Sequence, residues 1–157
     1  MASIVQWQDL FVIVDDGHVS IKEYERLEPL VRVQAKGCPQ GLGCLVIIPE
    51  KADPPSSAVR QHLEGMLERL TIRSLAYLVE GTGFRAATAR AALIGLGIFQ
   101  RKRYPTKVFT TILPALEWLL TAPREARAAM RVIDESRTNV DANENQVAVQ
   151  MPRRMSK

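Results

Sequence analysis

One turn in this sequence has the residue types that bind anions. Gly81, Thr82 and Gly83 separate a short apolar run from an alanine-rich segment that is typical of a helix. Backbone N–H groups at the start of a helix are unpaired, and the positive end of the helix dipole lies beside them, so a phosphate or carboxylate could bind there. The alternative is a purely structural turn, because neither the P-loop lysine and serine nor the third glycine of a dinucleotide fingerprint follows.

Basic side chains follow this turn and could extend it into a positive surface. Arg85 and Arg90 lie on the predicted helix, and Arg101, Lys102 and Arg103 come just after it. The surface would attract an acidic partner protein, an anionic lipid or a small anionic metabolite, unless it is only a charged face in contact with water. The net charge of +4 is too small to indicate specific nucleic-acid binding.

The other reactive residues give no starting point for catalysis or metal binding. His18 and His62 stand alone in the sequence, and no serine or cysteine lies in a nucleophile elbow. Cys38 and Cys44 have no nearby histidine to complete a zinc site, so we expect two reduced thiols. We therefore expect no enzyme activity, no cofactor and no metal.

Acidic residues follow several of the predicted strands. Asp15, Asp16, Glu23, Glu50 and Glu80 could meet at the strand ends, where α/β proteins usually bind ligands. Acidic residues at turns and helix starts also have a simpler explanation, because they cap helices and interact favourably with the helix dipole. We interpret them as structural.

Alternating strand and helix patterns position all these residues. Apolar runs at 10–14, 45–48 and 75–79 predict three buried strands, and a less apolar run at 107–112 predicts a fourth at or near a sheet edge. Helical spacing of apolar residues follows each run. The sequence therefore predicts an α/β fold with a small, mostly parallel sheet of four to five strands and four to five helices.

Local signals predict where three of the helices begin. Ser20 and Glu23 form the pattern of a capping box, and Ser56 or Ser57 is placed to cap the next helix. Pro29 should kink the first helix or make it begin anew. Pro114 is suited to the first turn of a helix that carries Trp118, which we expect to be buried.

The predicted domain ends before the chain does. Residues 1–122 should form one α/β domain, 123–136 a surface helix, and 137–157 a disordered tail of polar composition. No apolar run approaches the roughly 20 residues that span a bilayer, and the first residues lack the pattern of a secretory signal. We therefore expect a cytoplasmic protein that does not span a membrane.

The order of elements, the VEGTGF turn and the segment KVFTTILPALEWLL resemble the SpoIIAA-like branch of the STAS superfamily. The resemblance covers roughly residues 5–121. It rests mainly on Val108-Phe109, followed after a short loop by a helix with Trp118-Leu119. It implies a small α/β domain without catalytic apparatus that acts in binding and regulation.

The resemblance also implies a regulatory site. In related anti-sigma-factor antagonists a partner kinase phosphorylates a serine at the start of the helix that corresponds to the one after 45–48. In this chain that position falls at Ser56 and Ser57, although two prolines precede them and no glycine follows. We expect a non-enzymatic protein-interaction domain. The alternative is a carrier for a lipid or an anionic metabolite, bound near Gly81–Arg85.

Overall fold

The computed structural model describes residues 3–53, 55–99 and 104–142. Strands and helices alternate along most of this length. In chain order they are β1 (Ser3–Trp7), β2 (Leu10–Val14), α1 (Ile21–Lys36), β3 (Leu42–Ile48), α2 (Ser57–Glu68), β4 (Ile72–Val79), α3 (Phe84–Phe99), β5 (Thr106–Phe109), α4 (Ile112–Leu119) and α5 (Ala126–Ala142), with a 3₁₀ turn at Pro123–Glu125.

The five strands form one sheet in the order β1-β2-β3-β4-β5. β1 pairs antiparallel with β2, and all other neighbours are parallel. Parallel strands that follow each other both in the chain and in the sheet need right-handed crossovers, so α1, α2 and α3 all lie on the same face. The predicted α/β class with a mostly parallel sheet is confirmed.

Each face of the sheet has its own hydrophobic core. On one face the inner residues of α1, α2 and α3 pack on β2, β3 and β4. On the other face α4 and α5 cover the alternate residues of the same strands. Because β2 and β3 are buried on both faces, they read in the sequence as continuous apolar runs.

Several of the predicted local features are present. Ser20 and Glu23 form the capping box of α1, and the Ser56 hydroxyl accepts a hydrogen bond from the backbone of Val59 at the start of α2. β5 is an edge strand, as its composition indicates, but it ends at Phe109 rather than at 112. Pro29 lies inside α1, which continues as one helix, so the prediction that a helix begins anew there is wrong.

The structure adds a strand that sequence reasoning did not separate. The segment from Ile4 onward folds as a hairpin, and β1 reaches β2 through a turn at Gln8 and Asp9. Gln8 has φ +49°, a backbone conformation that glycine or asparagine usually supplies. Without a glycine at the turn, the sequence carried no hairpin signal.

The segment beyond residue 122 belongs to the core, which differs from the expected surface helix at 123–136. Ala126, Ala129 and Ile133 are at most 1% exposed, and they pack with α4 on the second face of the sheet. The helix also continues to Ala142, although a disordered tail was expected from 137. Alanine side chains can be buried as completely as leucine side chains, but they give only a weak hydrophobic pattern in the sequence. Residues 143–157 lie outside the described part of the chain.

Trp118 packs against the core of the second face but is only partly buried, so the prediction of a buried tryptophan holds only in part. Its ring lies against the ring of Phe109 on the edge strand, with the two centroids 5.7 Å apart. The residues of α4 that are fully buried are Ala115, Leu116 and Leu119. Phe109 and Trp118 both pack against the core of the second face and remain partly exposed.

Candidate functional site

The loops that follow β2, β3 and β4 meet at the carboxyl edge of the parallel strands. Two glycines allow this close approach. A Cβ atom on Gly17 would lie 2.8 Å from the backbone nitrogen of Asp53, and one on Gly81 would lie 2.5 Å from Cγ of Glu50. Both glycines also have φ near +90°, at +87° and +93°, which disfavours any side chain.

Arg90 holds the turn that leads into α3. Its guanidinium donates hydrogen bonds to the backbone oxygens of Val79, at 3.1 Å, and Gly81, at 2.9 Å. The side chain is thus bound to the end of β4 and does not project as an independent surface cation. Thr82 and Gly83 are exposed, so the start of α3 is open to solvent.

Arg85 forms an ion pair with Asp53, which joins the start of α3 to the loop before α2. The two side chains are 57% and 77% exposed. Solvent and salt screen such a pair, so its contribution to stability is small. The pair nevertheless means that the positive charge of Arg85 is partly neutralised where an anion was expected to bind.

A third arginine reaches this edge from the opposite face of the sheet. Arg137, on α5, donates two parallel hydrogen bonds to the carboxylate of Glu80, at 2.7 and 2.8 Å. This bidentate geometry is the strongest form of an arginine–carboxylate contact. Glu80 lies directly before Gly81, so the turn is fixed from both faces of the sheet. Sequence reasoning missed the pair because 57 residues separate the partners.

Two of the acidic residues at this edge, Asp15 and Glu80, accept hydrogen bonds from within the protein. Asp15 is 1% exposed and accepts a hydrogen bond from the backbone of Gly17 at 2.9 Å. Burial raises the pKa of Asp15, the hydrogen bond from Gly17 opposes that shift, and the negative charge of Asp16 adds to it. Nowhere in 3–53, 55–99 or 104–142 do three acidic, histidine or cysteine side chains lie close enough to hold a metal ion.

Ser56 and Ser57 lie at the same edge, at the start of α2. Both residues are exposed. The Ser56 hydroxyl accepts from the Val59 N–H at 3.3 Å, and the Ser57 hydroxyl accepts from the Arg60 guanidinium at 3.2 Å. Their hydroxyl groups are therefore accessible to a modifying enzyme, and Arg60 is close enough to interact with a phosphate on Ser57.

The outer face of α3 is apolar. It consists of Phe84, Ala87, Ala91 and Ile94, whose spacing of three, four and three residues places them on one side of the helix. Phe84 is 89% exposed and Ile94 is 53% exposed. Sequence reasoning identified α3 from its alanines and did not recognise this face, although the spacing of its residues follows from the sequence.

The structure therefore brings most of the predicted site residues together. Gly81, Thr82, Gly83, Arg85 and Arg90 lie with Ser56 and Ser57 at one edge of the sheet. The two arginines contact the protein itself, which weakens the predicted positive surface. The remaining members of that surface, Arg101, Lys102 and Arg103, lie outside the described residues.

Comparisons of the chain with protein-family models, with curated proteins and with solved structures find no match. The resemblance to the SpoIIAA-like branch of the STAS superfamily therefore stays a prediction. Within the described ranges, no helix is both long enough and apolar enough to cross a membrane.

Proposed function

We propose that this chain is a non-enzymatic regulatory domain that binds another protein through the outer face of α3. The observation that carries the proposal is Phe84, a phenylalanine whose ring is 89% exposed at the start of a helix. Fully burying such a side chain in a partner gains about 1.5–3 kcal/mol. A contiguous apolar face on a protein surface is typical of an interaction site.

The area of the face indicates what kind of partner fits it. The outer face of α3 extends over 11 residues, from Phe84 to Ile94, so it is about 16 Å long and about 10 Å wide. A flat contact would bury roughly 160 Å² on each side, whereas a stable interface buries about 800 Å² per partner. A second copy that paired only through α3 would bury too little. A partner with an apolar groove encloses more of the helix, and it would receive Phe84, Ala87, Ala91 and Ile94 as anchors.

Two further features fit a regulatory role. Ser56 and Ser57 are exposed at the edge of the sheet where α3 begins, so a phosphate there would add about 1.5 to 2 negative charges near the proposed interface. Asp53, only a few residues earlier, already pairs with Arg85 of α3. We propose that phosphorylation of either serine would compete for Arg85 and alter binding.

The alternative of a lipid or metabolite carrier with its site at Gly81–Arg85 has less support. Arg90 binds backbone oxygens, Arg85 pairs with Asp53, and Gly81 packs against Glu50. An anion at the start of α3 would find backbone N–H groups there but would have to displace Asp53 to gain a cation. The open N-terminus of α3 is by itself a weak reason to assign a ligand site.

A photo-crosslinking amino acid at position 88 tests the proposal in the native cell. Thr88 is exposed beside the outer face of α3, and Val33, 64% exposed on α1, is the matched control position. We expect a protein adduct from position 88 and none from position 33. An adduct of twice the chain mass would instead identify a second copy, and a lipid adduct would identify a membrane surface. Either result, or no adduct at position 88, would overturn the proposal.

A further inference from the structure

The chain itself carries a segment whose residues fit the outer face of α3. Residues 143–157 follow α5, and the run QVAVQM at 146–151 places an apolar side chain at every second position, at Val147, Val149 and Met151. This period of two is typical of an extended segment with its larger apolar side chains on one side. We propose, on the basis of the function proposed for α3, that residues 146–151 cover its outer face in the isolated chain and that the partner displaces them.

α5 ends at the edge of the sheet where α3 begins. Arg137 of α5 binds the carboxylate of Glu80, which lies four residues before Phe84. α5 continues to Ala142, five residues and about 7.5 Å farther along the helix. Residues 143–157 can span roughly 50 Å when extended, about three times the length of the outer face. The segment is therefore attached where it can reach the whole of that face.

The apolar residues of the segment match the outer face in length. In an extended chain, Val147 and Met151 lie about 13 Å apart. The outer face is about 16 Å long, with Phe84 at one end, 89% exposed, and Ile94 at the other, 53% exposed. The two residues between these anchors are alanines, whose small side chains let another backbone approach the helix closely. Three apolar side chains in a row can thus contact both anchors at once.

The charges of the segment select one direction along α3. Glu144 precedes the apolar residues, and Arg153 and Arg154 follow them. The start of α3 is the positive end of the helix dipole and carries Arg85, whose side chain is 57% exposed. When the segment runs in the same direction as α3, the glutamate lies near this positive end and the two arginines lie near the negative end. The opposite direction would bring like charges together.

A contact within one chain regulates binding even when it is weak. Tethering gives the segment an effective concentration in roughly the millimolar range at the face it covers. The apparent affinity of the partner is then reduced in proportion to the fraction of chains whose face is uncovered. The segment therefore competes with the partner for the same apolar residues.

A photo-crosslinking amino acid at position 88 of the purified full chain tests this contact without a partner. Trypsin cleaves after arginine, so the link would join peptide 86–90 to peptide 138–153. We expect this linked pair from position 88, and no link to 138–153 from position 33 on α1. Light and heavy isotope forms of the chain, mixed before irradiation, show whether both peptides come from one chain.

Two substitutions in the segment form a matched pair. Val149→Glu places a charge on the side that faces α3, and Ala148→Glu places the same charge on the other side. Because the loss of a buried apolar anchor typically weakens a contact about tenfold or more, we expect Val149→Glu to lower the yield of the linked pair at least about fivefold. Ala148→Glu should change it less than about twofold.

Equal yields from the two variants, a link between two chains, an equal yield from position 33, or no link to 138–153 would overturn the proposal. The purified chain contains no partner. This result and the adduct expected in the native cell can therefore fail separately.

Discussion

The outer faces of α1 and α3 differ, although both helices cover the same face of the sheet. The exposed residues of α1 include five charged side chains: Lys22, Glu25, Arg26, Arg32 and Lys36. The exposed residues of α3 from 84 to 94 include one, Arg85. Both helices pack apolar residues on the sheet. Packing on the sheet therefore does not account for the difference between their outer faces, and the proposed binding role of α3 is consistent with that difference.

The two helices are also fixed at their starts in different ways. α1 begins with a capping box, in which Ser20 and Glu23 satisfy each other's backbone N–H groups. α3 begins after a glycine turn that Arg90 and Arg137 hold from two sides. The contacts that fix the start of α1 are therefore local in sequence, whereas those that fix the start of α3 include a residue of α5. This leaves the first turn of α3 exposed but firmly positioned.

The largest expected effect on the free energy of unfolding distinguishes a substitution on the inner side of α3 from one on its outer side. Leu93 is 7% exposed and its neighbour Ile94 is 53% exposed. Leu93→Ala should lower the free energy of unfolding by about 2–4 kcal/mol, because it removes core contacts and leaves a cavity. Ile94→Ala should change it by less than about 0.5 kcal/mol. Urea unfolding measures both, and equal losses would mean that Ile94 belongs to the core.

A smaller effect tests how the start of α3 is held. A double-mutant cycle of Glu80→Gln and Arg137→Met should give a coupling energy of about 0.5–1 kcal/mol, since the contact is bidentate but its side chains are 29% and 30% exposed. The cycle is measured by thermal unfolding at low and high salt. A coupling energy near zero at low salt would mean that α5 does not position the turn.

The smallest effect concerns the charged surface of α1. Glu28 accepts hydrogen bonds from Arg69 at 2.9 Å and Arg32 at 2.5 Å. The bond from Arg69, followed by that from Arg32, lowers the pKa of Glu28 below its usual 4.5, although partial burial opposes the shift. Glu28→Gln should therefore destabilise the protein by up to about 0.5 kcal/mol at neutral pH.

The sign of this effect follows from the lowered pKa. Glu28 contributes its stability above pH 4.5, and the contribution is lost as the pH falls through the lower pKa of the folded state. The difference in free energy of unfolding between Glu28→Gln and the parent chain should accordingly disappear in acid. If that difference persists at low pH, it would have to come from packing, because the carboxylate is then protonated in both the folded and the unfolded chain.

The sequence predicted the parts of the fold that local patterns encode. The buried strands were readable because β2, β3 and most of β4 are apolar on both faces. The starts of α1 and α2 were readable from Ser20 and Ser56, since capping residues lie within three positions of their partners. The order of the strands was not readable, because no local pattern specifies which strands are neighbours.

The features that sequence reasoning missed depend on distant contacts or on weak patterns. Gln8 makes a hairpin turn without glycine, and the alanines of α5 bury completely without a leucine pattern. For the candidate site, Arg85 and Arg90 lie on one helix as predicted, but their partners Asp53 and Gly81 could not be predicted from the spacing of residues. The exposed position of Phe84 also follows only from the packing of α3 on the sheet.

The affinity of the crosslinked partner for two surface variants tests the binding role of α3 most directly. Phe84→Glu removes the most exposed anchor of the outer face, and Val33→Glu makes the same change on α1. Burying an anchor residue contributes about 2 kcal/mol or more, so Phe84→Glu should raise the Kd by about thirtyfold or more while leaving the Tm unchanged. Val33→Glu should leave both unchanged. If Phe84→Glu binds the purified partner as tightly as the parent chain does, the outer face of α3 is not the interface.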